Sequence, residues 1–332
     1  MNRKVSGLEG KEGSGPFGGP IASSDTAPSP QADHEYTPRS PAKYGAPWGT
    51  ITTEPQPKRP YASQTTIDAI SDRLSSRDRA ILQSVDEHQF LTARHIGILH
   101  FDSIAPDARS RITRRVLSRL RELRVLAATE RQIGGVHAGS QSLVHRVGPV
   151  GDRILHDRTD RARRTSEPSL RFLRHRMAVA DAHVALIAAD REAQIDLESS
   201  VVEPATSRAF TGPGASRRII KPDLYAETAA SRDSEFVQAW FIEVDLGTES
   251  IPTLLRKCRD YAAYRQSGIE QDQHGSFPIV IWSITHRDPA KADNRRQALT
   301  AAIVADRGLP NALFRIVAPE QLLPLIQSGG TL

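Results

Sequence analysis

The stretch that most constrains this chain is residues 239–245, AWFIEVD, which carries two carboxylates in an otherwise apolar run. At the two-residue period of a strand, Trp240, Ile242 and Val244 point one way and Phe241, Glu243 and Asp245 the other. Both acids therefore share a face. Residues 218–225 form an earlier, partly apolar piece containing the pair Pro222 and Asp223. If the two pieces pair as a hairpin, the carboxylates of Asp223, Glu243 and Asp245 converge. Three oxygen ligands near one point suit a hard divalent cation, Mg2+ or Mn2+, which in phosphodiester hydrolysis activates water and neutralises developing charge.

The surrounding sequence supplies a domain for these strands. Residues 170–191 read as an alanine-rich amphipathic helix with Leu173, Met177, Ala180, Val184 and Ile187 on one stripe. Strands follow at 195–204, 217–227 and 238–247, with a Gly/Pro loop and basic flank at 207–218. Ser250 caps the next helix, Pro252 stands in its first turn where a missing N–H costs nothing, and Leu254, Cys258 and Tyr261 form its apolar stripe with Lys257 alongside. FPIVIWSIT, residues 277–285, is apolar almost throughout, as expected of a strand buried on both faces. A helix at 291–306 and a strand at 312–319 complete an α/β domain over residues 169–328, with a mixed sheet and flanking helices.

The N-terminal half reads differently. Residues 1–66 are rich in Gly, Pro, Ser and Ala without apolar period, so they are expected to be a disordered tail. Structure is expected from about Leu74: a helix capped by Ser76, a short one capped by Thr92, and a long one over 108–126 whose buried stripe is Ile112, Val116, Leu120 and Leu123. Two β-rich pieces with Gly-containing turns come next. Three helices and a hairpin is the order of a winged helix, whose third helix enters the major groove of double-stranded DNA. Arg111, Arg114, Arg115, Ser118 and Arg121 lie away from the stripe, and no acid occurs between Ala108 and Leu120. An acid-free basic face suits phosphate, although charged helix faces are usually just solvated. The winged helix is placed at 74–156 and a charged linker at 157–168.

Composition adds limits. The formal net charge is +5 and the isoelectric point about 9.5, which fits a nucleic-acid partner. Cys258 is the lone cysteine, which excludes an intramolecular disulfide and a multi-cysteine zinc site. No apolar run approaches membrane-spanning length, so a cytoplasmic protein without membrane contact is expected. His88, His95 and His100 lack a ligand spacing. There is no phosphate-cradling Gly-rich loop or nucleophile elbow to support a small-molecule enzyme.

The order Pro222, Asp223, then Glu243, Val244, Asp245 resembles the core motif of the PD-(D/E)xK nuclease-like superfamily. The last position, normally lysine, is Asp245, and Lys257 one helix later would supply the missing amine. Residues 221–265 as a whole, with EVDLGTES, the following lysine, Tyr261 and Tyr264, resemble the C-terminal half of the replication-relaxation family, in which a winged-helix domain precedes a nuclease-like one. His175 and Asp181 match further positions of that pattern, on different helical faces. The resemblance implies a two-domain α+β/α/β architecture, an N-terminal winged helix-turn-helix followed by a restriction-endonuclease-like domain. It implies a DNA-binding protein of plasmid or mobile-element replication and relaxation, working with other replication or conjugation proteins. As a metal-dependent nickase or nuclease it would use Asp223, Glu243, Asp245 and Lys257. With Asp245 in the lysine place, the alternative is a catalytically inactive pseudo-nuclease that regulates or recruits.

Overall fold

The computed structural model describes residues 62–129, 143–156, 167–229, 234 and 236–331. Its first element, α1 (Gln64–Asp72), is capped by Ser63 and buries Ile67. Helical structure therefore starts ahead of Leu74, and residues 64–66 leave the expected tail; residues 1–61 lie outside the described ones. Helix α2 (Ser76–His88) is capped by Ser75, not Ser76, because Ser75 and Asp78 satisfy each other's amides in a capping box. A two-residue β1 (Leu91–Thr92) leads into α3 (Ala93–His100), capped by Thr92 as expected.

Helix α4 (Pro106–Glu122) buries Thr113, Leu117 and Leu120, while Ile112, Val116 and Leu123 sit half-buried beside that line. The burial axis is rotated from the expected stripe. Helix α3 meets this line at Gly97, where an added Cβ would lie 3.4 Å from the Thr113 hydroxyl, an ordinary contact distance. Strands β2 (Leu126–Ala128) and β3 (Val144–Val147) pair antiparallel, and β1 joins the other edge of β3. The expected Gly-containing turns, residues 130–142, lie outside the described residues, as do 157–166 of the expected linker. Helix α5 (Pro149–His156) intervenes.

Helix α6 (Leu170–Arg191) has the predicted bounds, with Ser169 as its cap, but not the predicted single stripe. Ala180 and Val184 pack with Ile81, Leu82, Leu117 and Leu120 of the helical layer. Val179 and Leu186 pack with Trp240 and Ile242 of the sheet. The helix is thus shared by two cores.

Beyond it run β4 (Asp196–Val202), β5 (Arg208–Thr211), β6 (Arg217–Ile220), β7 (Leu224–Ala229), β8 (Val237–Asp245), α7 (Ile251–Gln266), α8 (Ile269–His274), β9 (Ile279–Ile284), α9 (Pro289–Ala305), β10 (Phe314–Val317) and α10 (Leu322–Gln327). The main sheet has the order β10-β9-β8-β7-β4. Strands β8, β9 and β10 are parallel, whereas β4, β7 and β8 are antiparallel neighbours, so the sheet is mixed. Residues 217–227 are not one strand. Pro222 has no N–H for a ladder, and before it β6 pairs with β5, which lies in the stretch expected to be loop, as a separate two-stranded ribbon.

Helices α7 and α9 cover one sheet face, burying Phe241, Val280, Trp282, Leu254 and Leu299. On the other face α6 and α10 cover Trp240, Ile242 and Ile281. Strand β9 is therefore buried on both faces, as its composition requires, and each such side chain contributes about 1.5–3 kcal/mol. Every described residue falls within the unit Pro60–Leu332. Among the described residues no helix is long and apolar enough to cross a membrane.

Candidate functional site

The pairing of β7 with β8 places Leu224 opposite Ile242, and one further step of that register sets Asp223 opposite Glu243. Asp223 Oδ2 accepts the Val244 amide at 2.8 Å. Its Oδ1 lies 2.9 Å from Nε2 of His175, which reaches it from α6. Glu243 faces α7, where the Tyr261 hydroxyl donates to Oε1 at 2.6 Å and the Lys257 ammonium stands 3.5 Å from Oε2. Lys257 also lies 3.2 Å from Glu249 and 5.8 Å from the Trp282 ring centre. The helical spacing of Lys257 and Tyr261, four residues apart, aims both at one carboxylate.

These groups are electrostatically strained. Glu243 is 4% exposed. Burial first, and repulsion from Asp223 second, push its pKa up to about 7, against Lys257 and the Tyr261 hydrogen bond. Burial opposes the charge on Lys257, yet attraction to Glu243 and Glu249 holds its pKa above the ordinary amine value. His175 behaves alike: burial disfavours its charged form, but the hydrogen bond to Asp223 and that acid's charge raise its pKa. Tyr261 is pushed well up by burial and by Glu243, so it serves as a hydrogen-bond donor.

Asp245 does not join the other two acids. It shares their strand face, but its Oδ2 is taken by the Arg295 guanidinium from α9 and its Oδ1 by the Gly247 amide at 3.1 Å. Gly247 closes this turn at a φ of +75°, a conformation open to glycine at little cost. Among the described residues no three His, Cys, Asp or Glu side chains are grouped so as to hold a metal ion. The three-carboxylate convergence is therefore corrected: a shared face brought Asp245 near, and a cation from α9 claimed it. Asp223 and Glu243 remain, two close acids with a protein partner at each carboxylate oxygen.

On α4, Arg111, Arg114 and Arg115 are exposed at spacings that put them on one side of the helix. Among the described residues none of the three forms an ion pair; Arg114 only touches the Ser110 carbonyl of its own helix. Ser118 and Arg121 are half-buried, Ser118 bonding Glu122 and Arg121 the Leu117 carbonyl. Arg119, absent from the predicted face, pairs with buried Asp78.

Sequence reading left the contacts of His175 and Tyr261 unassigned and missed Arg295 altogether. Asp181 turns the other way and meets His95 at 2.8 Å. His88 joins His183, ring nitrogens 2.9 Å apart, and His183 continues to Ser200 on β4 at 2.8 Å. The three early histidines are thus engaged in structural contacts; His100 meets Ser84.

The chain is, by class, a mixed α/β protein whose central antiparallel strands hold a buried acid pair beside a lysine. It belongs to the replication-relaxation family, which matches residues 82–280, more than half of the chain. A comparison with curated proteins and one with solved structures returned no match.

Proposed function

We propose that this protein binds double-stranded DNA in the replication and relaxation of a plasmid or mobile element, and that its acid pair forms a metal-dependent nicking site. Family membership supports the replication setting. A cytoplasmic location and contact with other replication or conjugation proteins go with it. The observation that carries DNA binding is the outer face of α4, with exposed Arg111, Arg114 and Arg115 and no acid from Ala108 to Leu120. Helices α2 to α4 followed by β2 and β3 have the order of a winged helix, with α4 as the groove helix. Guanidinium groups that form no ion pair among the described residues are available to phosphate.

Asp223 and Glu243 would hold the Mg2+ or Mn2+ ion, which when bound supplies Lewis-acid activation of water and neutralises phosphate charge. Lys257 stands in for the lysine that Asp245 replaces, holding a positive charge beside Glu243 where a pentavalent phosphate would need it. His175 orients Asp223 through Nε2.

The second reading, a pseudo-nuclease acting as DNA-binding regulator or recruiter, is favoured by the Asp245–Arg295 pair and by the protein donors on every one of these carboxylates. Incubation with supercoiled plasmid and Mn2+, read for both gel retardation and nicked circles, separates the two. The nicking reading expects nicks that vanish in Lys257→Ala and Asp223→Asn. Retardation without nicks supports the regulator. Neither retardation nor nicks would end both readings.

A further inference from the structure

Residues 204–222 contain Arg208, Arg217, Arg218 and Lys221 and no carboxylate, while Glu203 and Asp223 stand at either end. This is the stretch that folds as the β5–β6 ribbon. Its register pairs Ala209 with Ile219 and Thr211 with Arg217, which divides the ribbon into two faces. The inner face is anchored: Phe210 and Ile220 enter the core under α7, Arg208 meets buried Glu270 at 3.3 Å, and Arg218 meets Asp260 on α7 at 3.1 Å. The outer face is bare. Ala209, Thr211, Arg217 and Ile219 are exposed, Ile219 at 47%, and Lys221 just beyond is exposed as well. Among the described residues the Arg217 and Lys221 side chains form no hydrogen bond or ion pair, in contrast to Arg208 and Arg218.

The ribbon also has a position. Its chain runs from Ile220 through exposed Lys221 and buried Pro222 into Asp223, so Lys221 stands two residues from the acid pair and Arg217 four residues further back on the same strand face. Buried carboxylates repel a phosphodiester, and a substrate reaches them only where neighbouring cations offset that repulsion. We propose that the β5–β6 ribbon is a second DNA-contacting surface, separate from α4, which grips backbone phosphates beside the Asp223–Glu243 site through Arg217 and Lys221. Ile219, between them on the same face, packs against the sugar edge. The proposal rests on the DNA-binding reading above and adds to it how the duplex is held at the acid pair.

The test measures binding of the full chain to a labelled DNA duplex across a salt series, in chelator so that no strand is cut. Three proteins are compared: the parent, Arg217→Ala/Lys221→Ala, and Arg111→Ala/Arg114→Ala/Arg115→Ala. The ribbon variant is expected to lose at least about tenfold in affinity near physiological salt and about two units of the log–log salt slope, roughly 0.9 per phosphate contact. Its melting should match the parent, since neither side chain has an internal partner; Arg217→Gln/Lys221→Gln carries the same expectation should the alanines disturb folding. A parent that binds DNA while both ribbon variants keep its affinity and slope overturns the ribbon contact and leaves the α4 reading standing. That result would leave the bare basic face to an acidic protein partner. A parent that does not bind duplex at all removes the DNA-binding reading, and the ribbon proposal with it.

Discussion

Glu243 carries the sharpest conflict at the scale of one residue, a carboxyl group that burial and Asp223 drive toward neutrality while Lys257 and Tyr261 hold it in place. Its pKa rises from an ordinary 4.5 to about 7 on folding. The unfolded chain therefore binds fewer protons than the folded one between those values, and stability contributed by Glu243 is full below pH 4.5 and lost as pH rises through about 7. Glu243→Gln keeps an acceptor for Tyr261 and removes the charge. It should stabilise the protein by about 1–3 kcal/mol at pH 8 in chelator and change little at pH 5. Thermal melts at the two pH values check this; an equal effect at both would show that Glu243 is ionised throughout. Asp223 and Glu243 were legible from sequence because strand period and a hairpin predict their register. Arg295 was not, because it lies 50 residues after Asp245 and only the packing of α9 on the sheet brings them together.

At the scale of elements, α6 decides how the helical layer and the sheet hold together. Sequence periodicity located its ends through its apolar run, but a helix buried on two faces has no single stripe to read. The buried chain from His88 through His183 to Ser200 crosses it, joining α2 to β4. Burial first, and the neighbouring His88 second, lower the His183 pKa to about 3, and burial lowers His88 as well. A depressed histidine contributes stability that is present above 6.5 and lost as pH falls toward the folded value. Stability should therefore decline in acid from about pH 6.5, and His183→Gln should melt lower at pH 7 but show a flatter decline on acidification. A parallel decline in both proteins would exclude the histidine pair as its source. Helix α1 gives a second test, because Ile67 is 3% exposed in the helical core and Arg153 holds the Ala62 carbonyl at 2.7 Å. A chain beginning at Leu74 should be less stable than one beginning at Ala62 by about 2 kcal/mol or more; matching denaturation midpoints would show that α1 adds nothing.

For the whole molecule, the order of the longer helices and strands in the C-terminal half was readable because caps, apolar runs and strand periods agree there, whereas the six-residue helices α8 and α10 were not read. The ribbon was not, since β5 lies in a Gly/Pro stretch that reads as loop and β6 was read as the start of one strand running on through Pro222. In the helical layer α4 was legible in length and charge but not in rotation, since Thr113 and Leu117 are buried where Ile112 and Val116 were expected to be. The outer side of that helix survives the correction, because Arg111, Arg114 and Arg115 stay exposed around the true axis. DNA binding through this side is the central claim, and salt-dependent binding to a duplex tests it most directly. The account predicts that the parent's log affinity falls linearly with log salt, and that replacing Arg111, Arg114 and Arg115 by alanine lowers the slope by about three units while leaving the melt unchanged. Salt-independent or absent binding by the parent, or an unchanged slope in a well-folded triple variant, would contradict it.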